Sequence, residues 1–390
     1  FTLMIFSVLN GIGNIASEQP ERVTGGYDIK ASISPELPIQ GQIEDSLDMN
    51  EFTSVFGSSS LYVEIRELEG ENTSFKTSRL ISYEEDFMNT TKWRMAHFDP
   101  KYGSTDVEIW QSLVSNPNLV VANASIIPSD DPFGPPERGF KTSFIEPGDQ
   151  KEITAFDVKI RKRKTSEDAE NFTVIGIVER LAGETGFGSG GAKFYTTYST
   201  GNRIAKEDIP FDTYYFLLSG NQNAGDYAQK LEKTFLANGM NAYSLLDRLE
   251  AEQATSNAFN KLFQGFSGLG LVVGVAAIGV LSVRAVVERR QSIGVLRAIG
   301  FRSSMIRTQF LIESSFITLL GIVVGIFLGI LQSWLIYNEI SKELEGAKFV
   351  IPFGEVGILI GITIIASILA SIIPAHQASK TYPAEALRYE

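Results

Sequence analysis

The segment VERRQSIGVLRAIGFRSSMIRTQF, at Val287–Phe310, lies between two long apolar runs. The run before it is FQGFSGLGLVVGVAAIGVLSVRAV at Phe263–Val286, and the run after it is FLIESSFITLLGIVVGIFLGILQSWLIY at Phe310–Tyr337. Each run reaches the length of about 20 residues that crosses a bilayer as a helix. The basic residues of the segment and its approach are Arg284, Arg289, Arg290, Arg297, Arg302 and Arg307, opposed by Glu288. Because cytoplasmic loops carry an excess of Lys and Arg, we place this segment in the cytoplasm and orient the chain from it.

Other apolar stretches complete the predicted membrane domain. Val356–Ile373 is a further full span, and we expect Pro374 to end it. We interpret the apolar run from Phe1 as the outer end of a transmembrane helix that begins upstream. The expected divisions are 1–13 (outer end of the first helix), 14–250 (extracytoplasmic domain), 251–286 (stalk and helix), 287–309 (cytoplasmic helix and loop), 310–337 (helix), 338–350 (outer loop), 351–375 (helix) and 376–390 (cytoplasmic tail). The predicted protein is therefore a multi-pass protein of the plasma or inner membrane, with a large domain outside the cytoplasm.

Charge is distributed unequally between the two predicted regions. The whole chain carries a formal charge of −12. Gln264–Glu390 contains ten Lys or Arg and eight Asp or Glu, a charge of +2, which leaves −14 for Phe1–Phe263. We see no basic patch in the acidic region, so the composition argues against nucleic acid as a partner.

The residue content also excludes several kinds of site. The chain has no cysteine, which excludes disulfides, thiolate nucleophiles and zinc–thiolate centres. Its two histidines, His97 and His376, are far apart in sequence, so a histidine-based metal site or catalytic triad is not expected. GFGSGGAK at Gly186–Lys193 fails the spacing of a phosphate-binding loop, because Phe194 follows the lysine. We therefore predict no catalytic residue, no metal and no cofactor in this chain.

The outer region is predicted to fold as an α+β domain, joined to an α-helical membrane domain of four helices, the first incomplete. Its clearest unit is a strand at Thr213–Leu218, a helix at Ala224–Asn238 and a second strand at Asn241–Leu246. Gly239 is expected to stop the helix. Such β-α-β units are typical of small α+β modules.

The basic segment is predicted to contain a helix at Glu288–Gly300. Ile293, Leu296 and Ile299 recur at three-residue spacing, and arginines flank them. A helix with an apolar ridge and cationic sides at the inner membrane surface suits either anionic lipid headgroups or a groove on a cytoplasmic protein. A third interpretation is that the arginines only fix the topology.

Small residues recur every four positions within the spans, a spacing that lets helices approach closely. The positions predicted to pack are Gly270, Gly274, Gly321, Gly325 and Gly329. Glu313 is the only charged residue of Phe310–Tyr337 and lies near its inner end. An ion-coupled carrier needs an ionisable relay inside the membrane, so this position gives weak support to secondary transport.

The C-terminal region resembles the FtsX/MacB-like permeases of ABC transporters. The resemblance is carried by ERRQSIGVLRAIGFRSSMI at Glu288–Ile306, the glycine-rich span after it, and the ending PAHQASKTYPAEALRYE. It covers about Phe259–Glu390 in detail, and over Asn14–Glu250 it concerns only the placement and size of the outer domain.

The resemblance implies a permease without an ATPase of its own. ATP would be bound by a separate cytoplasmic ABC ATPase, docked on a coupling helix formed by Arg290, Ile293, Leu296, Arg297, Ile299 and Gly300. Two permease copies or homologous halves would pair through their spans, which would move the outer domains mechanically for export or cargo handling. Membrane lipids and an extracytoplasmic lipoprotein or adaptor are further expected partners. The alternative is a membrane-anchored sensor or adaptor that activates an outer partner without transport.

Overall fold

The computed structural model describes residues 19–71, 73–128, 139–146, 150–163, 169–179, 191–220, 222–343, 349, 351 and 353–380. The strands are β1 (Ile29–Ser32), β2 (Phe52–Glu67), β3 (Lys76–Tyr83), β4 (Met95–Phe98), β5 (Leu119–Asn123), β6 (Phe156–Lys162), β7 (Glu170–Val178), β8 (Lys193–Thr197), β9 (Thr213–Leu218) and β10 (Asn241–Ser244). The helices are α1 (Glu21–Thr24), α2 (Glu85–Thr90), α3 (Asp106–Ser115), α4 (Tyr198–Ala205), α5 (Ala224–Thr234), α6 (Leu245–Glu288), α7 (Arg290–Ala298), α8 (Ser303–Glu343) and α9 (Phe353–Ser379).

The described residues divide into two compact units. The first, which we call the outer unit, contains the described residues up to 254 together with residues 340–343, and the second, the membrane unit, contains residues 255–339 and the described residues from 349 onward. Helix α6 has its first residues in the outer unit and the rest in the membrane unit. The predicted combination of an α+β domain and a helical domain is confirmed.

The outer unit is built on one mixed sheet with the strand order β10-β1-β9-β2-β3-β8-β5-β7-β4, and β6 pairs with both β2 and β7. Strand β2 is the longest, at 16 residues, and it pairs with β3, β6 and β9. Its side chains alternate between the two faces of the sheet, as the period of two requires. Val63 and Ile65 are fully buried on one face, whereas Tyr62 is 52% exposed on the other.

The predicted β-α-β unit is present, with one strand inserted into it. Strand β9 has the predicted bounds, α5 follows, and β10 is the second strand. β1 lies between β9 and β10 and is antiparallel to both, so Ile29 faces Phe216 on one side and Ser244 on the other. Gly239 ends the helical region with a φ of 63°, as expected. The helix is shorter than predicted, since α5 stops at Thr234 and a short 3₁₀ turn follows it, in which Leu236 is 76% exposed.

Aromatic side chains form the centre of the outer unit. The Tyr83 and Phe87 rings are stacked with their centroids 3.9 Å apart, and both side chains are fully buried. Trp93 and Trp110 belong to the same cluster. The indole of Trp93 donates to the carbonyl of Val23, and the indole of Trp110 donates to the carbonyl of Trp93. These bonds satisfy the polar edges of large apolar rings, which burial would otherwise leave without a partner.

The membrane unit contains the three helices that are long and apolar enough to cross a membrane, α6, α8 and α9, counting only the described residues. Thr318 of α8 and Ser367 of α9 are buried, and their hydroxyl oxygens are 2.5 Å apart. Hydrogen bonds between such hydroxyls hold helices together where no water competes.

The prediction that Pro374 ends the last span is wrong, because α9 continues to Ser379. The ring removes one helical hydrogen bond, yet Ala375 and Ala378 beyond it are fully buried. Packing against neighbouring helices therefore stabilises the helical turns that follow the proline. Residues 1–18 and 381–390, which include the expected helix remnant and most of the tail, lie outside the described residues.

Candidate functional site

The basic segment folds into the short helix α7, set between the two long helices α6 and α8. α6 ends at Glu288, and Arg289 breaks the helix with φ −99° and ψ 12°. At the other end, Gly300 has a φ of 103°, a backbone conformation that residues other than glycine rarely adopt. The Gly300 amide donates to Arg297 and the Phe301 amide donates to Leu296, both at 3.1 Å. This pair of bonds is a Schellman cap, so Gly300 ends the helix as predicted.

One face of α7 is fixed to the membrane unit. Ile293 is only 3% exposed. It packs in a cluster with Ile306 and Phe310 of α8 and Ala375 and Ala378 of α9. An apolar contact of this size resists rotation of the short helix relative to the spans, because moving it would expose the cluster to water. Ile293 was predicted to contact a docking partner, and its burial shows that in this chain it anchors the helix instead.

The other face of α7 is open. Ile299 is 72% exposed and Val295 is 45% exposed. In an α-helix of 3.6 residues per turn, residues three apart drift by about 60° around the axis. The predicted ridge therefore turns from the buried face at Ile293, through half-buried Leu296, to the open face at Ile299. The exposed ridge is formed by Val295 and Ile299, which are four residues apart and lie one above the other.

Exposed apolar residues continue beyond the cap. Phe301 is 43% exposed and Met305 is 56% exposed. Neither was among the predicted docking residues. Their apolar character could have indicated them, because an apolar side chain in a short basic loop outside the bilayer is not covered by lipid. Together Val295, Ile299, Phe301 and Met305 form what we call the outer ridge.

The arginines of the segment differ in their surroundings. Arg297 is half-buried and its guanidinium donates to the Ser303 hydroxyl, so it ties α7 to the start of α8. Arg290 is half-buried and has interactions within the chain. Arg302 and Arg307 are exposed and have no ionic partner among the described residues. Of the predicted docking residues, Ile299 and Gly300 are thus at the surface, Arg290, Leu296 and Arg297 are half-buried, and Ile293 is buried.

Four of the five glycines predicted to pack have open space around them among the described residues. A Cβ atom added at Gly270, Gly274, Gly321 or Gly325 would have no neighbouring atom within 4 Å. Gly329 is buried. Gly279 does approach a neighbour, since its added Cβ would lie 3.8 Å from Ala370 of α9. A packing role for the four open positions stays a prediction.

The described residues offer little support for a metal-binding or phosphate-binding site. No group of three or more His, Asp or Glu side chains there could hold a metal ion. Most of GFGSGGAK lies outside the described residues, and Lys193 belongs to strand β8. The basic loop therefore remains the part of the membrane unit with the features of an interaction site.

Comparison with known proteins places this loop in a family. Residues 265–383 match the family model for the C-terminal domain of FtsX-like permeases. A macrolide export ATP-binding/permease protein, MacB of Bdellovibrio bacteriovorus, is 37% identical over 150 residues, which are 38% of this chain and 22% of the relative. The lipoprotein-releasing transmembrane protein LolC of Neisseria meningitidis is 30% identical over 139 residues, 31% of this chain and 34% of that protein. The chain thus spans about a third or less of the length of these relatives.

A solved structure of another protein is also similar to part of this chain. The periplasmic region of MacB from Actinobacillus actinomycetemcomitans aligns with 62% of this chain and 98% of its own length, at 12% identity and a TM-score of 0.33.

Residues 265–383 belong to the FtsX-like permease family, as the resemblance predicted. The protein is a multi-pass membrane protein with a large extracytoplasmic domain.

Proposed function

We propose that this chain is the permease subunit of an ABC transporter and that a separate cytoplasmic ATPase docks on the outer ridge of α7. The observation that carries the proposal is the two-sided burial of this helix. Ile293 is 3% exposed against the ends of α8 and α9, whereas Ile299 is 72% exposed. Because α7 is packed against α8 and α9, a force applied to its open face would be transmitted to these membrane helices.

The chemistry of the open face supports a protein partner. The outer ridge offers apolar side chains, and Arg302 and Arg307 add exposed cations beside it. Apolar anchors with a polar rim are the usual arrangement of a protein–protein interface. Anionic lipid headgroups remain the competing partner for Arg302 and Arg307.

The proposed mechanism is mechanical transmission to the outer unit. α6 is a single helix of 44 residues from Leu245 to Glu288. Its first turns follow β10, and its last residue precedes the break at Arg289 before α7. We infer that closure of the ATPase shifts α7, that α6 transmits the shift, and that the outer unit moves to export or handle extracytoplasmic cargo. ATP would be bound only by the partner ATPase.

Docking is tested with the complex of the full chain and the ABC ATPase that co-purifies with it. Ile299→Asp places a charge in the centre of the outer ridge and is expected to abolish co-purification of the ATPase. Gln377→Asp, an equal charge change at the exposed cytoplasmic end of α9, is the matched control and should retain it. Retention of the ATPase by Ile299→Asp would overturn the docking site. Leu296 and Arg297 are poorer positions for this test, because both are half-buried and changing them also disturbs α7 itself.

Transmission is tested separately in α6. Ala258 is exposed, so Ala258→Pro breaks the helix without removing a buried contact, and Ala258→Ser is the control. We expect the proline variant to keep its ATPase but to lose the ATP-dependent change in protease sensitivity of the outer unit. An unchanged ATP response would contradict transmission through α6, whereas the absence of any ATP response in the original chain would favour the alternative of a non-transporting adaptor.

A further inference from the structure

Strand pairing in the outer unit brings basic residues that are distant in sequence onto one surface of the sheet. Strands β6, β2, β3 and β8 lie side by side, and their outward residues share one face. We call this face the basic face. Its members are Lys159, Arg161 and Arg163 from β6 and the turn after it, Tyr62, Glu64 and Arg66 from β2, Phe75 and Arg79 from β3 and the residue before it, and Lys193 from β8. With Asp157, the next outward residue of β6, the face has six cations and two carboxylates, in a region whose formal charge is −14.

Two aromatic rings organise the guanidinium groups. The Arg161 guanidinium lies 3.9 Å from the centroid of the Phe75 ring and that of Arg66 lies 5.2 Å from it. Tyr62 stands between Arg79, at 5.1 Å, and Arg163, at 6.0 Å. Stacking on a ring holds a guanidinium in one orientation and leaves its N–H edges available. The side chains are thus arranged before any ligand arrives, which lowers the entropy cost of binding.

The carboxylates nearby do not balance these charges. Glu64 is paired with Arg161 at 2.7 Å. Arg66, Arg79, Lys159 and Arg163 have no carboxylate partner among the described residues. Arg79 donates instead to the Tyr62 hydroxyl at 2.9 Å, and this contact lowers the pKa of Tyr62.

The arrangement opposes the ordinary rule for cross-strand neighbours. Arg66 lies directly opposite Lys159, and Arg79 lies directly opposite Lys193. Like charges at such positions destabilise a sheet. An acidic domain has many carboxylates with which to relieve them, yet Arg66, Arg79 and Lys159 have no carboxylate partner among the described residues. A local cost of this kind is expected where a surface serves a partner.

We propose that the basic face is the docking surface for an acidic extracytoplasmic protein. Four of its six cations are arginine, and arginine with tyrosine and phenylalanine is typical of protein interfaces, where lysine is depleted. Outward residues along one strand are about 6.7 Å apart and neighbouring strands about 4.8 Å apart, so the cations form a flat array. Such an array matches carboxylates spread over a protein surface. The inference goes beyond ATPase docking and does not depend on it.

The test uses the full chain in phosphatidylcholine nanodiscs without any ATPase, so its outcome is separate from that of the docking experiment. The probe is fluorescein-labelled poly-glutamate, and binding is followed by fluorescence anisotropy at low salt. The test variant is Arg66→Gln/Arg79→Gln/Arg163→Gln. The matched control, Lys101→Gln/Lys151→Gln/Lys233→Gln, removes the same charge from exposed positions elsewhere on the outer unit. The native fluorescence of the tryptophans reports that each variant is folded.

We expect the test variant to bind the probe at least about tenfold more weakly and the control to stay within about twofold of the original chain. Replacing the same three arginines by lysine should cause a partial loss, because lysine keeps the charge but not the stacked, planar fork. Equal losses in the test variant and the control would overturn the proposal, as would full binding by the lysine variant. Binding to phosphatidylglycerol vesicles but not to poly-glutamate would overturn it as well and would assign the basic face to lipid.

Discussion

Arg289 and Glu313 form an ion pair, with Arg289 Nη1 2.8 Å from Glu313 Oε2. Arg289 is the residue at which the chain breaks between α6 and α7, and Glu313 lies in α8. The pair therefore joins the entrance of the cytoplasmic helix to the span that follows it. It also gives the only charged residue of the second apolar run a structural role, which weakens the case for Glu313 as a proton relay.

Reversing one charge of this pair should loosen the membrane unit, and exchanging both should restore it. Glu313→Arg places two cations together, whereas Arg289→Glu/Glu313→Arg restores the attraction. Because the side chains are 52% and 39% exposed, we expect an effect of roughly 0.2–1 kcal/mol. The measurement is the fraction of detergent-solubilised protein that stays monodisperse after heating. Equal loss in the single and double variants would argue against the pair.

The cap of α7 gives a second prediction. Gly300→Ala introduces a Cβ atom at a φ of 103°, which costs about 1–2 kcal/mol because the side chain clashes with the backbone. We expect faster hydrogen exchange at the Gly300 and Phe301 amides, whose bonds close the cap. Gly357→Ala is the control, since Gly357 is helical and an added Cβ meets no atom within 4 Å. Unchanged exchange at residue 300 would show that the cap tolerates a side chain.

The outer unit contains a buried ion pair between Arg22 and Glu179, whose side chains are 9% and 7% exposed and 2.8 Å apart. Glu179→Gln leaves a cation buried without its counter-charge, so we expect a loss of roughly 3–5 kcal/mol in the free energy of unfolding. Arg22→Met/Glu179→Leu should lose less, because it leaves no buried charge.

The free energy of unfolding can be measured by urea titration, with the fluorescence of Trp93 and Trp110 as the signal. Trp334 of the membrane unit is first replaced by phenylalanine so that it does not contribute. Lys230→Gln is the control, because it breaks an ion pair with Glu51 in which the lysine is 58% exposed. Its loss should be much smaller, because ion pairs of exposed side chains contribute little to stability. A double variant that is less stable than Glu179→Gln would contradict the argument.

Glu84 makes the stability of the outer unit depend on pH. Burial, with smaller contributions from Glu44 and Asp86, raises its pKa above the ordinary value of 4.5. A carboxyl group whose pKa is higher in the folded state binds more protons there than in the unfolded state. Stability therefore falls as pH rises from about 4.5 through the raised pKa, and it stays lower above that.

Glu84→Gln removes this titration and can still accept the bond that the Gly57 amide donates to Glu84. We expect its urea midpoint to fall less between pH 4.5 and pH 7.5 than that of the original chain. The same tryptophan signal serves as the readout, and Glu85→Gln, at the exposed neighbouring position, is the control. Parallel curves for Glu84→Gln and the original chain would exclude Glu84 as the source.

Local patterns predicted the elements well where one residue type controls the backbone. Thr105 is a residue type favoured at the start of a helix, and its hydroxyl accepts from the Glu108 amide at the start of α3. Gly239 and Gly300 end their helices for the same kind of local reason, a positive φ. Pro374 failed as a signal because Ala375 and Ala378 are packed against other helices, and such packing is invisible in the order of residues.

The candidate sites were predicted less completely. The basic loop was found from its arginines, but the side of α7 that faces the membrane helices depends on where α8 and α9 lie. Spacing alone placed Ile293 and Ile299 together, whereas the fold buries one and exposes the other. The basic face was missed altogether, since Arg66, Arg79 and Arg161 are separated by up to 95 positions and only strand pairing brings them side by side.

By itself, the sequence determined which segments cross the membrane, which side is cytoplasmic and which family the C-terminal region resembles. These properties follow from the length of apolar runs and from local charge, and both are readable along the chain. Tertiary structure alone decided that β1 enters between β9 and β10, that Ile293 anchors α7, and that cations collect on one face of the sheet. These depend on contacts between residues distant in sequence, whose pairing is selected by the packing of the whole domain.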